Sequence, residues 1–390
     1  WDDRPVSAGV MFSDADLFGV PVRVVVSPKG LKNGTIEIST RDKSMNEKKE
    51  IGAGQLFALL VLSRLSVVLT FPFNWVGNFN NQEWFVSLLF FPVLLFIMLW
   101  QYFLFKKTGL SPCQAADRLS PFAGKAVCLL FSLFFLISAA VSLSRFNIFM
   151  TSTTGAEQSP VFFPLLLIIP ALYAAFKGLE PISRTACIAL AVGVFSVGLI
   201  IFAVLPDFDL LNITSPAYYG KKEAANLIRI YISNTSEVLA FALLLPKTRG
   251  NHIASAIGFS AACCIGMLII FFSVTSVFGE LTVIENFPFF ALADVAELGE
   301  LKQLSALHAS TWVLGFFVKC GLFLYLSYDC AKKFIPKKFL FPFSAAGAVL
   351  TFALGTLMSS SYSVSKSRIY SDVMFWSIIF LGVLLPAVLL

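Results

Sequence analysis

Along the chain the apolar residues gather into long blocks parted by short polar stretches, and this pattern begins abruptly near residue 50. From Ile51 onward ten blocks are long enough to cross a bilayer: 51–72, 84–105, 122–149, 160–177, 183–205, 223–246, 251–278, 304–330, 340–358 and 372–390. A crossing helix needs about 20 mostly apolar residues. Lipid offers the backbone no hydrogen-bond partners, so a helix must satisfy itself internally. The expected fold is an all-α integral membrane protein with ten transmembrane helices. The second half of the third block and the middle of the sixth carry polar interruptions. The loop 279–303 contains FPFFALADVAELGEL, whose Phe, Leu and Val spacing predicts a short amphipathic helix on the outer face.

Residues 1–50 follow a different rule. VPVRVVVS at 20–27 and TIEIST at 35–40 alternate like strands, and KGLKNG at 29–34 supplies a turn between them. This predicts a hairpin, which is marginal in water by itself. The boundary is placed at Met45, which begins MNEKKEIGAGQL. Residues 1–44 then form a small partial α/β fragment, and 45–390 form the membrane domain. The chain opens on Trp1 rather than Met, which points to a start that is not its natural one. The last block ends without a flanking charge, as a truncated C-terminus would.

Composition sharpens the class. Hydrophobic residues make up 57% of the chain and charged ones 13%, with 42 Phe and a mean hydropathy of +0.81. Soluble domains carry about twice that charge, so an ordinary soluble enzyme, a disordered chain and a disulfide scaffold are excluded. The net charge of +6 sits in clusters between blocks and reads as topology rather than nucleic-acid binding. Fourteen Lys and Arg fall on one side of the ten spans and five on the other, which places both termini in the cytoplasm. The seven Cys form no CxxC pair and only two His occur. No metal site, disulfide framework or cofactor is expected. No nucleophile set or phosphate-binding loop appears either, so no enzymatic activity is expected.

The candidate chemistry lies in charges placed inside spans, where each costs about 2.5–3.5 kcal/mol on insertion scales. Arg64 stands between Ser63 and Ser66 in the first span. These three are candidate substrate contacts at an unwound helix; the alternative is a packing salt bridge. Ser233, Asn234, Thr235, Ser236 and Glu237 interrupt the sixth span and predict a helix break lining a cavity. Glu237 is a candidate partner of Arg64 or Lys319. Lys319, too deep to snorkel, is an ion-site or coupling candidate, or simply the salt-bridge partner of Glu237. Arg145 and Arg229 lie nearer span ends and need only snorkel. Breaks in spans one and six predict two inverted five-helix repeats around a midplane site. A zwitterionic amino acid suits the opposed half-helix ends of such a site.

Two resemblances add to this reading. DDRPVSAGVMFSDADLFGVPVRVVVSPKG, at 2–30, resembles the anticodon-binding domain of prolyl-tRNA synthetase. It covers residues 1–43 only, without the catalytic parts, and implies a non-functional remnant; no nucleic-acid partner is expected. IGAGQLF at 51–57, LPDFD at 205–209, SNTSEVLAFALLLPK in span six and the run through LGFFVKCGLFLYLSYDCAKKF resemble the spore germination permease family. That is the B subunit of the germinant receptor, within the amino acid–polyamine–organocation superfamily. The resemblance implies a nutrient sensor of the spore inner membrane that binds a small germinant, often an amino acid, and signals with partner A and C subunits. It places Glu237 and Lys319 where the family tends to carry an acidic and a basic residue. The chain departs from the family at Ser63–Ser66, where glycine is frequent. A proton- or cation-coupled amino acid permease and a membrane-tethered tRNA-binding protein are the alternatives.

Overall fold

The computed structural model describes residues 51–69, 83–154, 159–213, 221–298, 301–302, 304–360 and 368–389, and in the first fifty residues 7, 10–11, 14, 18, 22–26 and 37–40. Two units separate at the junction of Glu50 and Ile51. In the first, β1 (Val22–Val25) pairs antiparallel with β2 (Glu37–Thr40), Val22 opposite Thr40 and Val25 opposite Glu37. These are the two strands that alternation predicts. The turn at 29–34 lies outside the described residues.

The second unit is helical. It runs through β3 (Ile51–Gly52), α1 (Ala53–Val68), α2 (Glu83–Thr108), α3 (Pro112–Leu119), α4 (Pro121–Thr154), α5 (Phe162–Lys177) and α6 (Leu179–Val204). Then follow α7 (Lys221–Ser233), α8 (Glu237–Leu244), β4 (Thr248–Arg249), α9 (His252–Phe278) and α10 (Pro288–Val295). After the small β5 (Glu297–Leu298) and β6 (Leu301–Lys302) come α11 (Ser305–Ala331), α12 (Leu340–Ser360), α13 (Arg368–Ile379) and α14 (Leu385–Val388). Among the described residues seven helices are long and apolar enough to cross a membrane. The pair α7–α8 makes an eighth if counted as one broken span, bent by 51°. The apolar helices α1 and α5 have 16 residues each. The outer-loop segment does form a helix, α10, but it stops at Val295, and the residues after it form the β5–β6 pair. Phe289 and Leu292 of α10 are buried.

Polar residues inside the spans do not by themselves break helices. The third block is one helix of 34 residues, α4, through all its serines and threonines. Ser142 donates to the Ser138 carbonyl at 2.7 Å, and Thr151 to the Asn147 carbonyl at 2.8 Å. Back-bonding of this kind satisfies a hydroxyl within its own helix. The first span corrects the sequence expectation in the same way. No unwinding occurs at Ser63–Ser66, because α1 runs unbroken to Val68, with Ser66 donating to the Ser63 carbonyl at 2.8 Å.

Two local features fix α1 in the unit. The Gln55 side chain accepts from the Gly52 amide at 2.9 Å, capping the helix start. Ahead of it, β3 pairs in parallel with β4, Ile51 opposite Thr248. Farther along, α11 crosses α1 at Gly315, where a Cβ would lie 3.0 Å from that of Ser66. Only glycine allows the two helices this close approach, and Lys319 follows one turn later.

Candidate functional site at the break in the sixth span

The sixth block breaks where its polar run lies. Helix α7 ends at Ser233, Asn234 to Ser236 leave the helix, and α8 starts at Glu237. A helix end in an apolar setting leaves carbonyls that need donors. Here the polar side chains supply them. Ser233 Oγ and Asn234 Nδ2 both donate to the Ile230 carbonyl at 2.7 Å, and Thr235 Oγ1 donates to the Tyr231 carbonyl at 2.7 Å. The sequence pattern and the break thus have one cause: five polar residues can satisfy a backbone that lipid cannot.

The break gathers charges from three other helices. From α1, Arg64 Nη1 donates to the Asn234 carbonyl at 2.6 Å, and Ser63 Oγ to Glu237 Oε1 at 2.8 Å. From α11, Lys319 Nζ forms an ion pair with Glu237 Oε1 and donates to the Ser63 carbonyl at 3.2 Å. From α4, Arg145 Nη2 donates to Asn234 Oδ1. Arg64, Glu237 and Lys319 are all buried, at 2%, 0% and 3% exposure, which makes them members of one internal ionic cluster. Arg64 also lies 6.0 Å from the Phe90 ring centre, and Lys319 lies 5.1 Å from that of Phe323; both distances suit a cation facing an aromatic ring. Beside Arg64 a small cleft opens between α1 and α9, with Cys263 and Met267 in its wall.

The predicted residues therefore meet, though not all in the expected way. Ser63, Arg64, Asn234, Glu237 and Lys319 converge on one centre. Ser66, Ser233 and Thr235 turn their hydroxyls onto backbone carbonyls beside it, and Ser236 is buried at the start of α8. Of the two candidate partners for Glu237, Lys319 makes the ion pair while Arg64 takes the backbone of the break. Arg145 does not merely snorkel toward the span end but reaches inward to Asn234. Its signal was the helical spacing of Ser138, Ser142 and Arg145, which puts all three on one face of α4. Arg229 forms an ion pair with Asp372 of α13.

A second ionic group lies where α8 and α11 end. Lys247 pairs with Asp329 and bonds Tyr325 Oη at 3.0 Å, while Lys333 pairs with Asp117 of α3 at 2.6 Å. The hydrogen bond that the Lys333 ammonium donates to the Asp117 carboxylate raises its pKa above the ordinary lysine value.

The arrangement has relatives. Among solved structures the chain is similar to the nucleobase-cation-symport-1 family transporter Mhp1, closed with bromovinylhydantoin bound, with a TM-score of 0.55 and 16% identity over 88% of this chain and 80% of that one. MhsT in complex with L-phenylalanine gives 0.57 and 15% over 87% and 89%. A Na+-coupled sialic acid symporter, substrate-bound and outward-open, gives 0.57 and 10% over 85% and 79%. At such identities these likenesses establish the transporter fold. The first unit has separate relatives. An anticodon binding domain model matches residues 1–61. The proline–tRNA ligase of Persephonella marina is 49% identical over 51 residues, 13% of this chain and 9% of that one. That of Syntrophus aciditrophicus is 41% identical over 61 residues, 16% and 11%. The chain spans only about a tenth of the length of these curated relatives. The membrane unit is matched instead by the model described as spore germination protein, over residues 50–383. The apolar helices, the transporter fold and a match over most of its length agree on an integral, multi-pass membrane protein, and the chain belongs to the spore germination protein family.

Proposed function

We propose that this protein is the germinant-sensing membrane subunit of a spore nutrient receptor. A small nutrient, in the first instance an amino acid, binds at the break in the sixth span among Ser63, Arg64, Ser66, Ser233, Asn234, Thr235, Ser236 and Glu237. Glu237 and Lys319 are its ion-site or coupling residues. Binding is passed to A and C subunits in the spore inner membrane. The observation that carries the reading is the convergence of Arg64 and Lys319 on an interrupted helix, where among the described residues Arg64 Nε and Glu237 Oε2 have no hydrogen-bond partner. The shorter apolar helices α1 and α5, taken with the seven long helices and the bent pair, support a reading of ten spans in two five-helix repeats. The charge bias of the loops supports cytoplasmic termini.

A second reading, a proton- or cation-coupled amino acid permease, is favoured by one finding. The solved relatives include a protein in complex with L-phenylalanine and a Na+-coupled symporter. The two readings separate in proteoliposomes of the full chain. Amino acids and sugars are screened for binding by thermal shift, and the solute that binds is then tested for uptake with and without an ion gradient. Binding without flux supports the sensor, and gradient-driven flux supports the permease. The shift is expected to change in Glu237→Gln. A shift identical in that variant would place the ligand elsewhere.

A further inference from the structure

The buried ionic groups of the break do not balance. Among the described residues Glu237 is the one buried carboxylate, paired with Lys319, while Arg64 lies on the backbone of the break and the half-buried Arg145 adds further positive charge at Asn234. Glu237 Oε1 is occupied twice, by the Lys319 ammonium and the Ser63 hydroxyl. Arg64 spends one donor on the neutral Asn234 carbonyl, and among the described residues its Nε has no partner. A guanidinium keeps its charge and carries five donors in a planar fork, the shape that grips a carboxylate. An uncompensated buried charge is costly, so the ligand that removes the cost is one that brings a negative charge with it. The cluster also shows where a ligand's ammonium is not needed. Lys319 already fills the oxygen-lined place between the Ser63 carbonyl and Glu237. What remains open is a cationic donor on Arg64 and one acceptor, Glu237 Oε2.

We infer that the site selects a small organic anion of net charge −1, an acidic amino acid or a hydroxy acid, held by its carboxylate on Arg64 with a donor group toward Glu237 Oε2. This rests on the break being the ligand site and narrows the ligand's class. A zwitterion such as alanine offers the same two groups but leaves the excess positive charge in place.

The test is calorimetric binding to the full chain in lipid nanodiscs, with L-aspartate, L-lactate, L-alanine and the neutral isostere L-lactamide. Aspartate or lactate is expected to bind at least tenfold more tightly than alanine or lactamide. Arg64→Gln should weaken the anion at least tenfold, and Arg64→Lys by only a few-fold. Glu237→Gln, which adds one to the net positive charge, should tighten lactate, and this second variant serves if Arg64→Gln does not fold. Alanine binding as tightly as the anions, with loss in Arg64→Gln, overturns the anion preference and leaves the site standing. Anion binding unmoved by both substitutions overturns the site as well. Failure of all four solutes to bind overturns the inference, and the uptake and screening experiment then decides the broader function separately.

Discussion

Each buried charge in the sixth-span break depends on the next. Removing one partner of a buried ion pair strands the other and costs about 3–5 kcal/mol, whereas removing both costs far less. Glu237→Gln, which leaves the Lys319 and Arg64 cations without their buried carboxylate, is therefore expected to lower stability by about that amount. The double variant Lys319→Met, Glu237→Gln should recover more than half of the loss in thermal unfolding of the purified protein. His308 gives the opposite case. It is fully buried against Phe149 and Phe289, and neither ring nitrogen has a hydrogen-bond partner among the described residues. His308→Phe should be within about 1 kcal/mol of the parent, or more stable, because it removes unsatisfied polar atoms while keeping the ring. A large loss would mean that the imidazole has a polar role. At this scale the sequence was readable where a charge stood alone in a long apolar run, as Lys319 does, or closed a dense polar run, as Glu237 does. Arg145 was not, because distance from the span end hid how far its side chain reaches inward to Asn234.

Among elements, the contrast between α1 and the α7–α8 pair is instructive. Both blocks carry serines beside a charge, yet only the second breaks. Two serines can back-bond within a helix, as Ser66 does. A run of five polar residues can instead carry the hydrogen bonds of a helix end. Polarity alone therefore misplaced a break in the first span, while its length and density located the one in the sixth. The α1–α11 crossing offers a direct test. Gly315→Ala places a Cβ against Ser66 and should cost about 1–3 kcal/mol by overpacking. Ser66→Gly should restore part of it in the double variant, read as a melting temperature. If the two losses merely add, the close approach is not what the glycine serves.

For the whole molecule, apolar blocks were legible because length and hydrophobicity decide membrane crossing together. The pairing of helices was not, because contacts such as Lys333–Asp117 join residues far apart in the chain. That pair also sets a pH dependence. Its folded ammonium has a raised pKa, so its contribution is complete below the unfolded Lys value, about 10.4, and is lost as pH rises through the folded one. It is an exposed pair worth about 0.5 kcal/mol or less. Lys333→Met should thus change stability slightly and equally from pH 6 to 9, and the difference should vanish only in stronger alkali. Loop charge predicts that reporters fused at Gly250 and Lys337 read as cytoplasmic and one at Asp209 as external. The reverse pattern would invert the proposed orientation. The short ladder between Ile51 and Thr248 has a mechanical meaning of its own. It clamps the entry of α1 to the exit of α8, so those two rods share one anchor while α7, across the break, does not. If the joint at Asn234–Ser236 hinges about that anchored side, a crosslink between positions 51 and 248 should leave ligand binding unchanged, whereas one that fastens α7 to α13 should not.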